Sequence, residues 1–243
     1  MTLLPPEHTD LLRAALLNGE PMRTAWDRWH STVDFDTVDG SAYAVLPLLA
    51  RNLERHGIIH PLSGRLSGIY RKVWASNQLV LNRLNAVTRG LQTVETSFGW
   101  VDDAAFALHY ALEVGSLPIA TAALAVPSSR LATTHDILLK NGASRASDDR
   151  WTFPALQGFF LTLYPVHDAD LSLHTVRTAS EDAKVLNATA QFWRSALVER
   201  ANPLGVTARL WLLRRATDNP IDWQQLEVWA HRFQRRWMLA LAL

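Results

Sequence analysis

His167, Asp168, Asp170 and His174 are side chains of the types that ligate metals, gathered within a short segment. Their spacing matches no metal-binding pattern with known mechanics, such as two histidines four apart on a helix with a glutamate between them. The segment reads instead as a solvated turn at His167 and Asp168 leading into a strand that carries His174. Asp102 and Asp103 are of the right type for general acid and base work. Adjacent residues at a strand end point in opposite directions, however, and either aspartate suits the cap of a following helix. His56 and His60 are four apart, but Gly57 and Pro61 argue against a shared helix. Ser172 has a histidine and an aspartate nearby in sequence, yet a catalytic triad converges in space, and no Gly-x-Ser-x-Gly elbow is present. Arg214, Arg215, Arg232, Arg235 and Arg236 cluster near the end among tryptophans, where a cationic face could take an acidic peptide or nucleic acid; the plainer reading is a solvated helix face. No Gly-rich phosphate loop of either the Walker or the dinucleotide type occurs, so kinase and dehydrogenase readings fall away.

These residues must be positioned by a chain whose pattern changes near Gly99. Before it, apolar residues recur at helical spacing over Asp10 to Asn18, Pro21 to His30 and Ser41 to His56, with Asp and Ser where caps belong. Trp26 and Trp29 fall on one face. From Ser63 to about Ser97 the longest helical pattern sets Leu66, Tyr70, Trp74, Leu79, Leu81, Leu84 and Leu91 along broad apolar stripes. The first hundred residues are expected to form a helical bundle or hairpin stack. Beyond Gly99 shorter segments alternate: a strand near Trp100 and Val101, a helix over Ala104 to Leu112, a strand at Thr121 to Val126, and a helix from Ser129 to Asn141 stopped by Gly142. Strands follow at Phe159 to Tyr164 and Ala169 to Thr175. A helix over Ser180 to Glu199, a break at Pro203 and Gly205, and two last helices complete the reading. The expected fold is helix-rich α+β. It has an N-terminal helical region over residues 1–98, a small mixed sheet with helices over 99–180, and C-terminal helices over 181–243.

Composition narrows the function classes. The 243 residues are 48% hydrophobic and 19% charged, as in an ordinary globular protein and unlike a disordered one. Basic and acidic residues number 24 and 23, so no global field favours nucleic acid or an anionic membrane. The absence of cysteine removes disulfides, thiolate zinc sites and a cysteine nucleophile. Met1 to Asp10 holds two prolines and two acids rather than a basic segment before an apolar run, so a cytoplasmic location is expected. The most apolar stretches are far short of the roughly 20 residues of a membrane helix, and no membrane association is expected. Ten tryptophans, most at helical spacing with leucines, read as core.

Several pieces carry a resemblance. They are Leu-Leu-Arg-Ala-Ala-Leu-Leu at Leu11 to Leu17, Val-Leu-Pro-Leu-Leu-Ala-Arg-Asn-Leu at Val45 to Leu53, and Tyr70, Arg71, Trp74, Asn77 and Gln78 within Ile69 to Leu81. The last is Ile221-Asp222-Trp223 before a final helix. In order and spacing they resemble a family of uncharacterised bacterial nucleotidyltransferases in the polymerase-β-like superfamily. Members with an intact site carry a Leu-Lys-Gly-Ala-Ala-Leu stretch, an Asp-x-Asp strand after a proline, and a later strand reading Glu-Leu-Asp-Leu-His. Here the first reads Val101-Asp102-Asp103-Ala104-Ala105-Phe106. The strand after Pro118 has Thr121 and Ala123 in place of the paired acids, and Ser172 stands where the third carboxylate would be. An anion replacing a cation at a triphosphate site reverses the interaction, and a hydroxyl and a methyl cannot hold hard Mg²⁺.

The resemblance thus implies a degenerate site marked by Asp102, Asp103, Thr121, Ala123 and Ser172, with no catalytic residue, no metal and no cofactor. His174, Arg232, Arg235 and Arg236 are candidate binding residues. The expected function is noncatalytic: a nucleotidyltransferase-like scaffold that binds a protein or peptide partner, with no nucleic acid. Because relatives occur in bacterial clusters for modified peptides, the resemblance implies an accessory role there. The alternatives are an enzyme with non-magnesium chemistry in the same cleft, using Asp102 or Asp103 as base with His174, and a toxin or antitoxin partner. The oligomeric state is not encoded in any motif.

Overall fold

The computed structural model describes residues 5–101, 103, 113–147, 149–166, 204, 205, 208 and 212. The fold is helix-rich α+β, as the periodicities predict, with a mixed sheet that has five strands among the described residues. Two compact units are present. One holds the described residues up to Ala75, the loop 113–118 and Leu204, Gly205, Ala208 and Leu212; the other holds the described residues of Ser76–Ala111 and those from Ile119 to 166.

In the first unit, α1 (Pro6–Leu16) and α2 (Gly19–Thr32) bury one stripe each, through Leu11, Ala14 and Ala15 on α1 and Met22, Trp26 and Trp29 on α2. The tryptophans are core, as their spacing predicts, with ring centroids 5.8 Å apart. The end of α1 is closed from outside: buried Asn52 donates its side-chain amide to Ala14 O and Leu17 O, each at 2.8 Å, satisfying carbonyls that a helix terminus leaves open. The single helix expected over Ser41 to His56 is two, α3 (Gly40–Tyr43) and α4 (Leu46–Arg55). Pro47 lacks an N–H and fits only the first turn of a helix, so a new helix begins just before it. Asp39 caps α3 by accepting from the Ala42 N–H at 2.8 Å, a bond that holds its carboxyl below the ordinary range.

Helix α5 spans Ser63–Thr93, close to the expected limits, and the division between units falls within it. In the second unit its residues Val80, Leu84, Val87 and Leu91 join one core with Trp100, Leu124, Leu138, Trp151 and Leu161. Strand order is β1 (Gly99–Val101), β2 (Thr121–Pro127), β5 (Phe160–Val166), β4 (Arg150–Thr152), β3 (Ser144–Arg145); only β2 and β5 run parallel. Along β5 the alternation is plain: Leu161 and Leu163 are buried, while Phe160 and Tyr164 are exposed. Pro165 is tolerated because β4 pairs no farther than Thr162, so its missing N–H breaks no bond on that side.

Helix α6 (Leu131–Lys140) follows a 3-10 turn at Ser128–Arg130, a tighter start than the helix expected from Ser129. Gly142 ends it as expected, at φ 79°, with Ala143 N–H donating to Leu138 O. The short strands β3 and β4 were not expected: two or three residues are too few to show a period of two. Leu204 and Gly205 are helical, so Gly205 does not break the chain as expected, a glycine being tolerated inside a helix at a modest penalty; Pro203 lies outside the described residues. The helix expected over Ala104 to Leu112, the strand at Ala169 to Thr175 and the helices from Ser180 and Pro220 lie outside the described residues. Among the described residues, no helix is long and apolar enough to cross a membrane.

Candidate functional site

Thr121, Ala123 and Ala125 share one face of β2, because strand side chains alternate, and the opposite face is the core face of Ala122, Leu124 and Val126. The parallel register sets Phe160 beside Thr121, Thr162 beside Ala123 and Tyr164 beside Ala125. On the next strand Thr152 pairs with Phe160 and Arg150 with Thr162. The Arg150 guanidinium lies over the Phe160 ring, 5.1 Å from its centroid. Phe160 and Tyr164 are each 37% exposed, whereas Ala123 and Ala125 are buried. The described residues of this face therefore offer hydroxyls, methyls, aromatic rings and a cation, and among them no paired anionic oxygens of the kind that Mg²⁺ and a triphosphate require.

Asp103 is half-buried, and its carboxylate accepts from the backbone N–H of Ala120 at 3.2 Å. The preceding N–H, that of Ile119, donates to the buried Asn77 Oδ1 at 2.9 Å. Two side chains from distant parts of the sequence thus hold consecutive N–H groups just before β2. That is work a carboxylate does as an anchor, and Asn77 contributes it from the piece of α5 that the sequence singled out only for its family likeness. Asp102, Ser172, His174, Arg232, Arg235 and Arg236 lie outside the described residues. Among the described residues, no three His, Asp or Glu side chains converge closely enough to hold a metal ion.

A second constellation, in the helical unit, was not expected. Arg51 on α4 pairs with Glu54 one turn on and with Glu113 from the loop 113–118, and the Tyr70 hydroxyl donates to Glu113 Oε1 at 2.8 Å. The Arg51 guanidinium also lies 5.1 Å from the Tyr70 ring centroid. The hydrogen bond to Glu113 raises the Arg51 pKa against the opposing effect of burial. Burial pushes the Glu113 carboxyl up, but the bonds from Arg51 and Tyr70 outweigh it and hold the pKa below the ordinary value. Burial first, and then the Glu113 carboxylate, push the Tyr70 phenol up to about 12. Beside this cluster a cleft of about 290 Å³ opens between α4 and the start of α5, walled by Leu53, Ile58 and Leu66 with Arg51, Glu54 and Tyr70 at its polar side. The available sequence signal was weak: Arg51 and Tyr70 are polar-tipped residues inside otherwise apolar helical stripes.

Comparison with protein-family models, curated proteins and solved structures returned no match. The class defined by these observations is a helix-rich α+β protein with a mixed sheet.

Proposed function

We propose that this chain is a noncatalytic nucleotidyltransferase-like protein that acts as a binding or accessory partner of a protein or peptide, within a bacterial pathway for modified peptides. One observation carries the reading. At the β2 positions where the resemblance calls for paired acids stand Thr121 and buried Ala123, and the strand in register beside them contributes Phe160 and Thr162. Asp103, the nearest carboxylate of the sequence-derived set among the described residues, is engaged by the Ala120 N–H. A face of this make-up suits contact with side chains: aromatic rings and a cation–π pair are typical of protein recognition surfaces. The pathway rests on the resemblance alone.

Titration calorimetry of the full chain with nucleoside triphosphates, with and without Mg²⁺, tests the first half of the proposal. No metal-dependent heat is expected, and micromolar binding that requires the metal would sink it. Co-purification from the native host tests the second half, with a peptide-modifying enzyme or its peptide as the expected companion.

A further inference from the structure

Helix α5 carries five basic residues, Arg65, Arg71, Lys72, Arg83 and Arg89, and no aspartate or glutamate, although the whole chain balances 24 basic residues with 23 acidic ones. Its cations therefore lack the acidic neighbours three or four residues away that commonly offset charge along an exposed helix. Arg65 finds Asp36, in the 3-10 turn Phe35–Thr37, instead. Arg83 and Arg89 are both exposed, and among the described residues neither has an ion-pair partner.

Within the sheet unit the helix has two distinct faces. Val80, Leu84, Val87 and Leu91 are buried in the core that they share with Leu124 and Val126. On the other side Leu79, Asn82, Arg83, Ala86 and Arg89 recur at i, i+3, i+4, i+7 and i+10. At about 100° per residue that spacing keeps all five within an arc of about 120°. Leu79, inside the arc, is 55% exposed. Since α5 packs against the core face of β2, the arc is separate from the opposite β2 face that carries Thr121 and Ala123.

We infer that this arc binds an acidic amphipathic helix of a partner protein, whose carboxylates meet Arg83 and Arg89 while an aliphatic side chain covers Leu79. Charge selects the sign of the partner: two exposed guanidiniums with no anion of their own pair with carboxylates in bidentate fashion and repel a basic surface. Leu79 selects among anions. A nucleic-acid backbone has no aliphatic group to lay against it, whereas an amphipathic helix presents apolar and acidic side chains together at helical spacing. Ala86, seven residues beyond Leu79, is short enough to let a second helix approach at the usual distance of about 8–10 Å. From Leu79 to Arg89 the contact runs about 15 Å, nearly three helical turns. It does not depend on the role proposed for the sheet face.

Fluorescence anisotropy of the full chain with two labelled designed helices tests the inference. One peptide repeats Leu and Glu in amphipathic order, and the other has Lys in place of each Glu. The Glu peptide is expected to bind at low salt and to weaken as salt screens the pairs, and the Lys peptide is expected not to bind. Arg83→Glu with Arg89→Glu, at two exposed positions, should weaken the Glu peptide tenfold or more and admit the Lys peptide, with an unchanged circular dichroism spectrum. Leu79→Gln should weaken the Glu peptide without admitting the Lys peptide. Failure of the Glu peptide to bind overturns the inference, as does binding indifferent to the double variant. Tighter binding of a duplex oligonucleotide, lost in the same double variant, also overturns it by making the occupant a nucleic acid.

Discussion

The Tyr70 hydroxyl donates to the Glu113 carboxylate at 2.8 Å, across 43 positions of sequence. With Arg51 on the other side of the same carboxylate, the bond ties the loop 113–118 to α5. Its consequence should be visible at alkaline pH. The folded phenol titrates near 12 rather than at the usual value of about 10, so between these limits the unfolded chain loses its proton first. Stability contributed by the protonated phenol is complete below about pH 10 and lost as pH rises toward 12. Absorbance titration at the tyrosinate band should show a late-titrating component that Tyr70→Phe removes. That substitution should also lower stability by about 1 kcal/mol at neutral pH.

Gly115 lies against the same ring. A Cβ placed there would come within 2.6 Å of Tyr70 Cε2 and 2.9 Å of Trp74 Cβ. The Tyr70 ring is held by its bond to Glu113 and cannot swing aside freely, so Gly115→Ala should destabilise by about 1–3 kcal/mol, as overpacking does. Chemical denaturation measures it. A smaller penalty for Gly115→Ala in a Tyr70→Ala background than in the native chain would tie the penalty to this contact.

Asp103 separates the anchoring role from the catalytic alternative. Asp103→Asn keeps an oxygen that can accept from the Ala120 N–H and should leave the denaturation midpoint nearly unchanged, whereas Asp103→Ala removes the acceptor and should cost about 1 kcal/mol. A base in catalysis behaves otherwise. Turnover of any substrate that vanishes in the Asn variant while stability is retained would favour the enzyme reading.

The His30 and His60 rings lie against each other at a tilt of 54° with centroids 4.6 Å apart, beside Trp26. Burial first, then the proximity of His60, lower the pKa of His30, against a smaller opposing pull from Asp27. The unfolded chain therefore binds the proton more readily. Stability is full above the ordinary histidine value of about 6.5 and declines as pH falls through the lower folded value. Urea midpoints measured between neutral and mildly acidic pH should fall in the native protein and change less in His30→Gln.

Elements with a strong local signature were legible in the sequence. Trp26 and Trp29 at helical spacing, Leu66, Leu84 and Leu91 on the long helix, and the alternation of Leu161 and Leu163 with Phe160 and Tyr164 lie where their periods place them, whereas Trp74 and Leu79, expected on the same apolar stripes, are exposed. Gly142 marked a helix end because its left-handed conformation suits glycine. Less legible was the split at Ala44 and Val45: Pro47 was present in the sequence, but continuous apolar spacing over Ser41 to His56 masked it. The candidate positions Thr121 and Ala123 do share one face of a strand, since alternation alone dictates that.

Composition and periodicity by themselves determined the α+β class, the positions of several described elements and which side chains share the Thr121, Ala123 and Ala125 face of β2. Those are consequences of backbone geometry acting within a few residues. The tertiary structure alone decided that Asn77 and Asp103 would meet consecutive N–H groups before β2, and that Arg51 and Tyr70 would share the Glu113 carboxylate. Such meetings depend on the path of the whole chain and on which buried polar groups must find partners, and neither leaves a period in the sequence.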